Sequence, residues 1–270
     1  MENFLWTVGT VFEPQFGYLR RTITEVNALI TVIDDIYDVY STLDELELFT
    51  DVVKRWDANA KDQLPNYMQT CFLVLRSSIN RMAFDVQKQQ GYHILKYLRK
   101  TWADLCEAYL VEARWYYNRH KPTLQEYIEN AWVSISAPLI LVHAYSLVTN
   151  PITEEALEFL EEYPNIIRQS SIILRLANDL GTSPHEMERG DVLKSIQCYM
   201  HEKGVSEDEA RKHVEFLIGE TWKQMNENQV TNLPLSKSFI IIAINVARMA
   251  QCMYQHGDGH GVRADRETKD

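Results

Sequence analysis

The sequence predicts an all-α protein, and three observations carry that prediction. Glycine is scarce, with 10 in 270 residues, and long stretches hold no breaker at all. Apolar residues recur at three- and four-residue spacing along most of the chain. Proline and hydroxyl residues punctuate this pattern where helices would start or turn.

Helical periodicity covers Tyr18 to Tyr40, Leu43 to Trp56, Pro65 to Gln90, Ile94 to Arg119, Leu124 to Thr149, Thr153 to Leu180, Val192 to His201, Ser206 to Asn228 and Ser236 to Tyr254. Ahead of the first, Met1-Glu2-Asn3-Phe4-Leu5-Trp6 enters an apolar, helix-compatible pattern without a polar lead-in. Thr153 is followed by acidic residues in the first turn, and Ser206 with Glu209 spells a capping box. Pro65, Pro122 and Pro151 mark starts or turns. Pro138 lies inside the stretch Ser134-Ile135-Ser136-Ala137-Pro138, where it should break or kink the helix and free carbonyls that can face a pocket. No linker and no repeat of solenoid period divides the chain, so residues 1–270 form one domain and a closed bundle.

Hydrophobic residues at 46% and charged residues at 24% suit a globular protein with a sizeable core. A formal charge of −11 argues against a nucleic-acid partner, since that affinity comes from Lys and Arg neutralising phosphates. An anionic ligand would have to be met locally, by metal ions or a few placed cations. The longest apolar runs, Ala137 to Val142 and Phe239 to Ala247, fall short of the roughly 20 residues of a membrane span, so no membrane insertion is expected. Cys71, Cys106, Cys198 and Cys252 form no C-x-x-C pair and suggest neither zinc nor disulfides.

Two clusters carry chemistry. Asp34, Asp35 and Asp38 extend the mostly apolar run Ala28 to Ile33, and positions 34 and 38 share a helical face. Carboxylates packed so closely repel one another unless a cation intervenes, and oxygen ligands that leave room for water and phosphate suit Mg²⁺. The bland alternative is a solvated acidic helix end. The second cluster places Asn178, Thr182 and Glu186 at i, i+4 and i+8, so amide, hydroxyl and carboxylate oxygens line one face. Arg175 lies one turn earlier and Lys194 in the next segment; alone, each has an ordinary reading as a salt-bridge partner. Two unlike oxygen-ligand faces with cations beside the second favour a functional reading.

Ile33-Asp34-Asp35-Ile36-Tyr37-Asp38 resembles the aspartate-rich motif of plant class I terpene synthases, and the Asn178/Thr182/Glu186 set resembles their second metal motif. Family-like stretches also include Phe12-Glu13-Pro14-Gln15, Leu46-Glu47-Leu48-Phe49-Thr50, Arg55-Trp56-Asp57, Tyr127-Ile128-Glu129-Asn130 and Gly257-Asp258-Gly259-His260-Gly261, with the character of angiosperm monoterpene synthases.

The resemblance implies a helical bundle around a central cavity. It also implies a trinuclear Mg²⁺ cluster, with Mn²⁺ as the substitute ion, and geranyl diphosphate as substrate. Asp34 and Asp38 would be metal ligands, with Asp35 a ligand or an outer carboxylate, and Asn178, Thr182 and Glu186 would hold the third ion. Arg175 and Lys194 would bind the diphosphate. Trp6 matches a pocket tryptophan, and Tyr109 is a weaker candidate for the cation-facing wall. Tyr254 and His260 match positions suspected of taking the final proton. Asn27, two turns before Asp34, should face the cavity and could hold a water.

A plastid location follows from the same resemblance. The oligomeric state stays open between monomer and weak homodimer. An N-terminal helical domain, a transit peptide, an arginine pair just before Met1 and a closing helix are family features that this sequence does not contain, so the 270 residues alone are expected to be a poor catalyst.

The alternatives are a sesquiterpene synthase using farnesyl diphosphate and a non-catalytic helical module. A prenyl-chain elongating synthase would carry a second aspartate-rich motif in place of Asn178 and Thr182. A di-iron bundle would need Glu-x-x-His pairs, and no His here has Glu three residues before it.

Overall fold

Twelve α-helices account for most of the described residues. They are α1 (Glu2–Thr10), α2 (Gly17–Asp35), α3 (Leu43–Arg55), α4 (Asn66–Gln90), α5 (Leu95–Asn118), α6 (Leu124–Ser134), α7 (Ala137–Val148), α8 (Glu154–Glu161), α9 (Asn165–Arg189), α10 (Ser195–Lys203), α11 (Glu207–Asn228) and α12 (Lys237–Tyr254). The structure, a computed structural model, describes residues 2–189, 192–228 and 233–257, those at 39–40, 183–189 and 228 by backbone alone.

Caps set several of these boundaries. Thr42 with Glu45 and Thr123 with Glu126 close reciprocal capping boxes at the starts of α3 and α6. Ser206 and Glu209 do the same at α11, and the Thr153 hydroxyl accepts from the Ala156 N–H at 3.2 Å at α8.

Two of the long periodic segments are each a pair of helices. The stretch from Leu124 to Thr149 breaks at Ser136, which takes a left-handed φ of 66°. Pro138 stands at the start of α7, where its missing N–H is no loss, so the break falls just ahead of it. The stretch from Thr153 to Leu180 divides at Tyr163 and Pro164, and α9 then runs past Leu180 to Arg189. The first segment ends differently too. After Asp35 the helix widens into a π turn over Ile36–Tyr40, a deformation that re-aims side chains and is common at functional sites.

Helix α9 is central, packed against α12 and α11 and also touching α6, α7 and α10, while α1 closes on α2 and α12. Trp102, Tyr127, Tyr145, Phe49, Phe72 and Phe239 fill the core. The stretch Leu124–Val148 reaches a mean hydropathy of 1.6 and is 67% buried within the protein. It is a buried core segment, α6 followed directly by α7, with Ser136 at the break. His143 on α7 is wholly buried, its Nδ1 hydrogen-bonded to the Leu139 carbonyl at 2.8 Å and its Nε2 accepting from Trp102 Nε1 at 3.2 Å. The four cysteines are free.

Candidate active site

A cavity of about 230 Å³ opens between α1, α2, α7, α9 and α12. Its apolar wall comes from Ile23 and Ile30 on α2, Ile135 and Ile140 around the Ser136 break, Leu174 on α9 and Val246 on α12. Trp6 and Tyr254 line it from opposite ends of the described chain. Asn27 also lines it: its Nδ2 donates to Thr7 Oγ1 at 3.3 Å, while its Oδ1 is buried without a hydrogen-bond partner among the described residues. Ser136, whose strained backbone is held by α6 and α7, adds a polar group to the wall.

Both motifs stand one helical turn beyond this wall. On α2, Asn27, Ile30 and Thr31 lead to Asp34, which rises only about 6 Å along the axis from Ile30. On α9, Leu174 leads to Arg175 and Asn178. The charges of Lys194 and Arg175 act on Asp34, so the two candidate ligand sets lie near one another at this end of the cavity.

Asp34 is half-buried, and desolvation pushes its carboxyl above the usual carboxylate range. A hydrogen bond from Tyr109 and the positive charges of Lys194 and Arg175 oppose that shift, while the Glu112 carboxylate adds to it. The cations of the second cluster therefore reach electrostatically to the first. Asp38 is exposed on the π turn. Asp35 is exposed and lines a different, outer groove with Val32, Ile36, Tyr67 and Cys71. Tyr109 is buried against Asp34 and the Tyr37 ring, whose centroid lies 5.3 Å away, and does not line the cavity. Of the three aromatic candidates, Trp6 and Tyr254 line the cavity.

In the second cluster, Asn178 Oδ1 accepts from Arg175 Nη2 at 2.6 Å and the Thr182 hydroxyl donates to the Asn178 carbonyl at 3.0 Å. Lys194 precedes α10, and its Nζ reaches Glu112 Oε2 at 3.4 Å. Glu112 is held in turn by Ser134 and by Asn130 Nδ2 at 3.3 Å. The side chain of Glu186 and the whole of His260 lie outside the described residues.

Among the described residues no three Asp, Glu, His or Cys side chains converge on a point. A closed protein cage is therefore absent among them, but the donor set fits hard divalent ions. Carboxylate, amide and hydroxyl oxygens lie near one another at one end of the cavity, few per ion, as Mg²⁺ prefers when water and phosphate complete its shell.

Sequence reasoning passed over Glu112, Tyr127 and Asp179. Asp179 was readable as the i+4 partner of Arg175, while Glu112 and Tyr127 arrive from helices remote in sequence.

Residues 1–224 match the terpene synthase family, metal binding domain. The chain is 67% identical over its whole length to a chloroplastic myrcene synthase of Quercus ilex, covering 45% of that protein. It is 66% identical to a (-)-alpha-terpineol synthase of Vitis vinifera, covering 46% of it. A crystal structure of limonene synthase with 2-fluorolinalyl diphosphate superposes with a TM-score of 0.95 at 51% identity, over 98% of this chain and 49% of that one. Isoprene synthase from grey poplar, in complex with three Mg²⁺ ions and dimethylallyl-S-thiolodiphosphate, gives 0.91 at 49% identity, over 96% and 49%. The chain spans about half the length of the curated relatives it matches. It belongs to the terpene synthase family, carrying that family's metal-binding domain in the class I helical bundle.

Proposed function

We propose that this chain is the catalytic portion of a plastid monoterpene synthase, which ionises geranyl diphosphate and closes or quenches the resulting ten-carbon cation. One observation carries the reading: an apolar cavity of about 230 Å³ has both oxygen-ligand faces one helical turn from its wall. Relatives named myrcene, terpineol, gamma-terpinene and limonene synthases support the product class, and several are chloroplastic.

Asp34, Asp38, Asn178 and Thr182, together with Glu186 by its spacing, would hold three Mg²⁺ ions, the number in the grey poplar relative. When bound, the ions neutralise the charge that develops on the departing diphosphate. Arg175 and Lys194 donate hydrogen bonds to the same oxygens, in a site already partly shielded from water.

The isoleucine, leucine and valine wall exposes no nucleophile to the cation. Trp6 and Tyr254 offer ring faces that attract positive charge. Asn27 Oδ1, a buried acceptor on a cavity-lining residue, would accept from a water that captures the cation, and the Tyr254 hydroxyl would take the final proton.

The test is a comparison of prenyl chain lengths. These 270 residues, grafted into the Quercus ilex relative in place of the segment they match, are assayed with geranyl and farnesyl diphosphate and Mg²⁺. The cavity size sets the expectation: kcat/KM higher for geranyl diphosphate by roughly tenfold or more. A preference for farnesyl diphosphate would replace this reading with a sesquiterpene synthase.

A further inference from the structure

The Asp179 carboxylate is fully buried beside the candidate metal site. It takes hydrogen bonds from three donors on three elements. Arg175 Nε donates at 2.7 Å and Arg175 Nη2 lies at 2.5 Å, both on α9. The Tyr127 hydroxyl on α6 donates at 3.0 and 2.9 Å to its two oxygens, and the Ser195 N–H at the start of α10 donates at 3.2 Å. Both oxygens are occupied and the residue is sealed from solvent, so Asp179 is no metal ligand, although its neighbour Asn178 is a candidate.

A buried ion pair is a weak source of stability, because desolvating the charges consumes most of what their attraction returns. What a hub of this kind does supply is fixed geometry. A hydrogen bond from Nε and an ion-pair contact from Nη2 close on the same oxygen, Oδ1, and restrain the guanidinium more than a single contact would. The Ser195 N–H is tied to the same carboxylate, and Lys194 is the residue before it. One side chain therefore sets the orientation of Arg175 and the start of the segment that carries Lys194.

We propose that Asp179 is a positioning residue, which holds Arg175 and Lys194 in register so that both meet the leaving diphosphate together. The proposal deepens the functional reading above and rests on it. The cation of Arg175 and the amide of Asn178 are also linked at 2.6 Å, so the hub reaches one of the candidate metal ligands through Arg175.

The test uses the 270 residues grafted into the Quercus ilex relative, with Asp179→Asn as the first variant. The expected result is a fall in kcat of about 100-fold, the scale of a small misplacement at a reacting centre. The KM for Mg²⁺ should change less than about twofold, and pyrophosphate inhibition should weaken about tenfold. In an Arg175→Ala background the same change should lower kcat far less, because most of what Asp179 orients is already gone. Equal fold-losses in the two backgrounds would overturn the proposal, since a purely structural contribution adds independently of Arg175.

If Asp179→Asn fails to fold, Tyr127→Phe removes one of the three hydrogen-bond donors and leaves the charge pair. Its kcat should fall several-fold, again only while Arg175 is present, and no dependence on Arg175 would overturn the proposal. If the unaltered protein turns over no geranyl diphosphate, the functional reading falls. Calorimetric titration with pyrophosphate and Mg²⁺ then still decides Asp179: weaker binding by Asp179→Asn supports the positioning role, and equal binding removes it.

Discussion

The rings of Trp6 and Tyr254 meet with their centroids 5.9 Å apart, tilted 46° to one another. They come from the first and last described helices, so the cavity wall is completed only when α1 and α12 close on each other. Tyr254 sits where it does because Gly181 on α9 has no side chain. A Cβ there would lie 3.0 Å from the Tyr254 Cβ and 3.1 Å from its Cδ1.

Gly181→Ala should therefore push Tyr254 off its seat against Trp6. Overpacking of this kind costs about 1–3 kcal/mol, partly offset by the roughly 1 kcal/mol that alanine gains over glycine in a helix. The expected outcome is a modest change in melting temperature and an altered product ratio, read by gas chromatography, with Mg²⁺ dependence kept. An unchanged product ratio would show that the Tyr254 ring does not shape the cation's path.

Asn27 carries a buried acceptor that nothing among the described residues satisfies. Asn27→Ile removes that acceptor, so stability should hold or rise by up to about 1 kcal/mol despite the lost contact to Thr7. The ratio of alcohols and ethers to hydrocarbons should fall, because the polar group that could hold a water is gone. Constant ratios in the variant would dismiss this role for Asn27.

His143 gives a pH dependence. Burial lowers its pKa from 6.5 to about 4, so between those values the unfolded chain binds the proton and the folded one does not. Stability is then fully present above pH 6.5 and is lost as pH falls toward 4. From pH 7 to pH 5 the loss from this residue is about 2 kcal/mol. His143→Gln keeps an acceptor for Trp102 and should flatten that slope in urea titrations. An equally steep slope in the variant would place the proton uptake elsewhere.

The helices were legible in the sequence because their period and caps are local. Thr153, Ser206 and the scarcity of glycine point to boundaries that the structure shares. Breaks inside periodic runs were harder. Pro138 announces a break but tolerates the first turn of a helix, so the left-handed residue is Ser136, which has no sequence signal of its own.

The site divides the same way. Asp34, Asp38, Asn178 and Thr182 are read from spacing along single helices. Asp35 shares the motif but looks outward, because successive helical residues turn by about 100°. Glu112 and Tyr127 join the site only through the packing of α5 on α6 and of α6 on α9, which no local pattern encodes.

Asp38 offers the most direct test that these helices carry a metal-dependent terpene synthase site. It is exposed on the π turn, so Asp38→Ala removes a proposed metal ligand and no core contact. The 270 residues grafted into the Quercus ilex relative are incubated with geranyl diphosphate, with and without Mg²⁺, and the pentane layer is analysed by gas chromatography. The expected result is a ten-carbon terpene from the unaltered protein only when Mg²⁺ is present. Asp38→Ala should give at least about 100-fold less product, with an unchanged circular dichroism spectrum. Near-normal product from Asp38→Ala, or product without a divalent metal, would contradict the assignment.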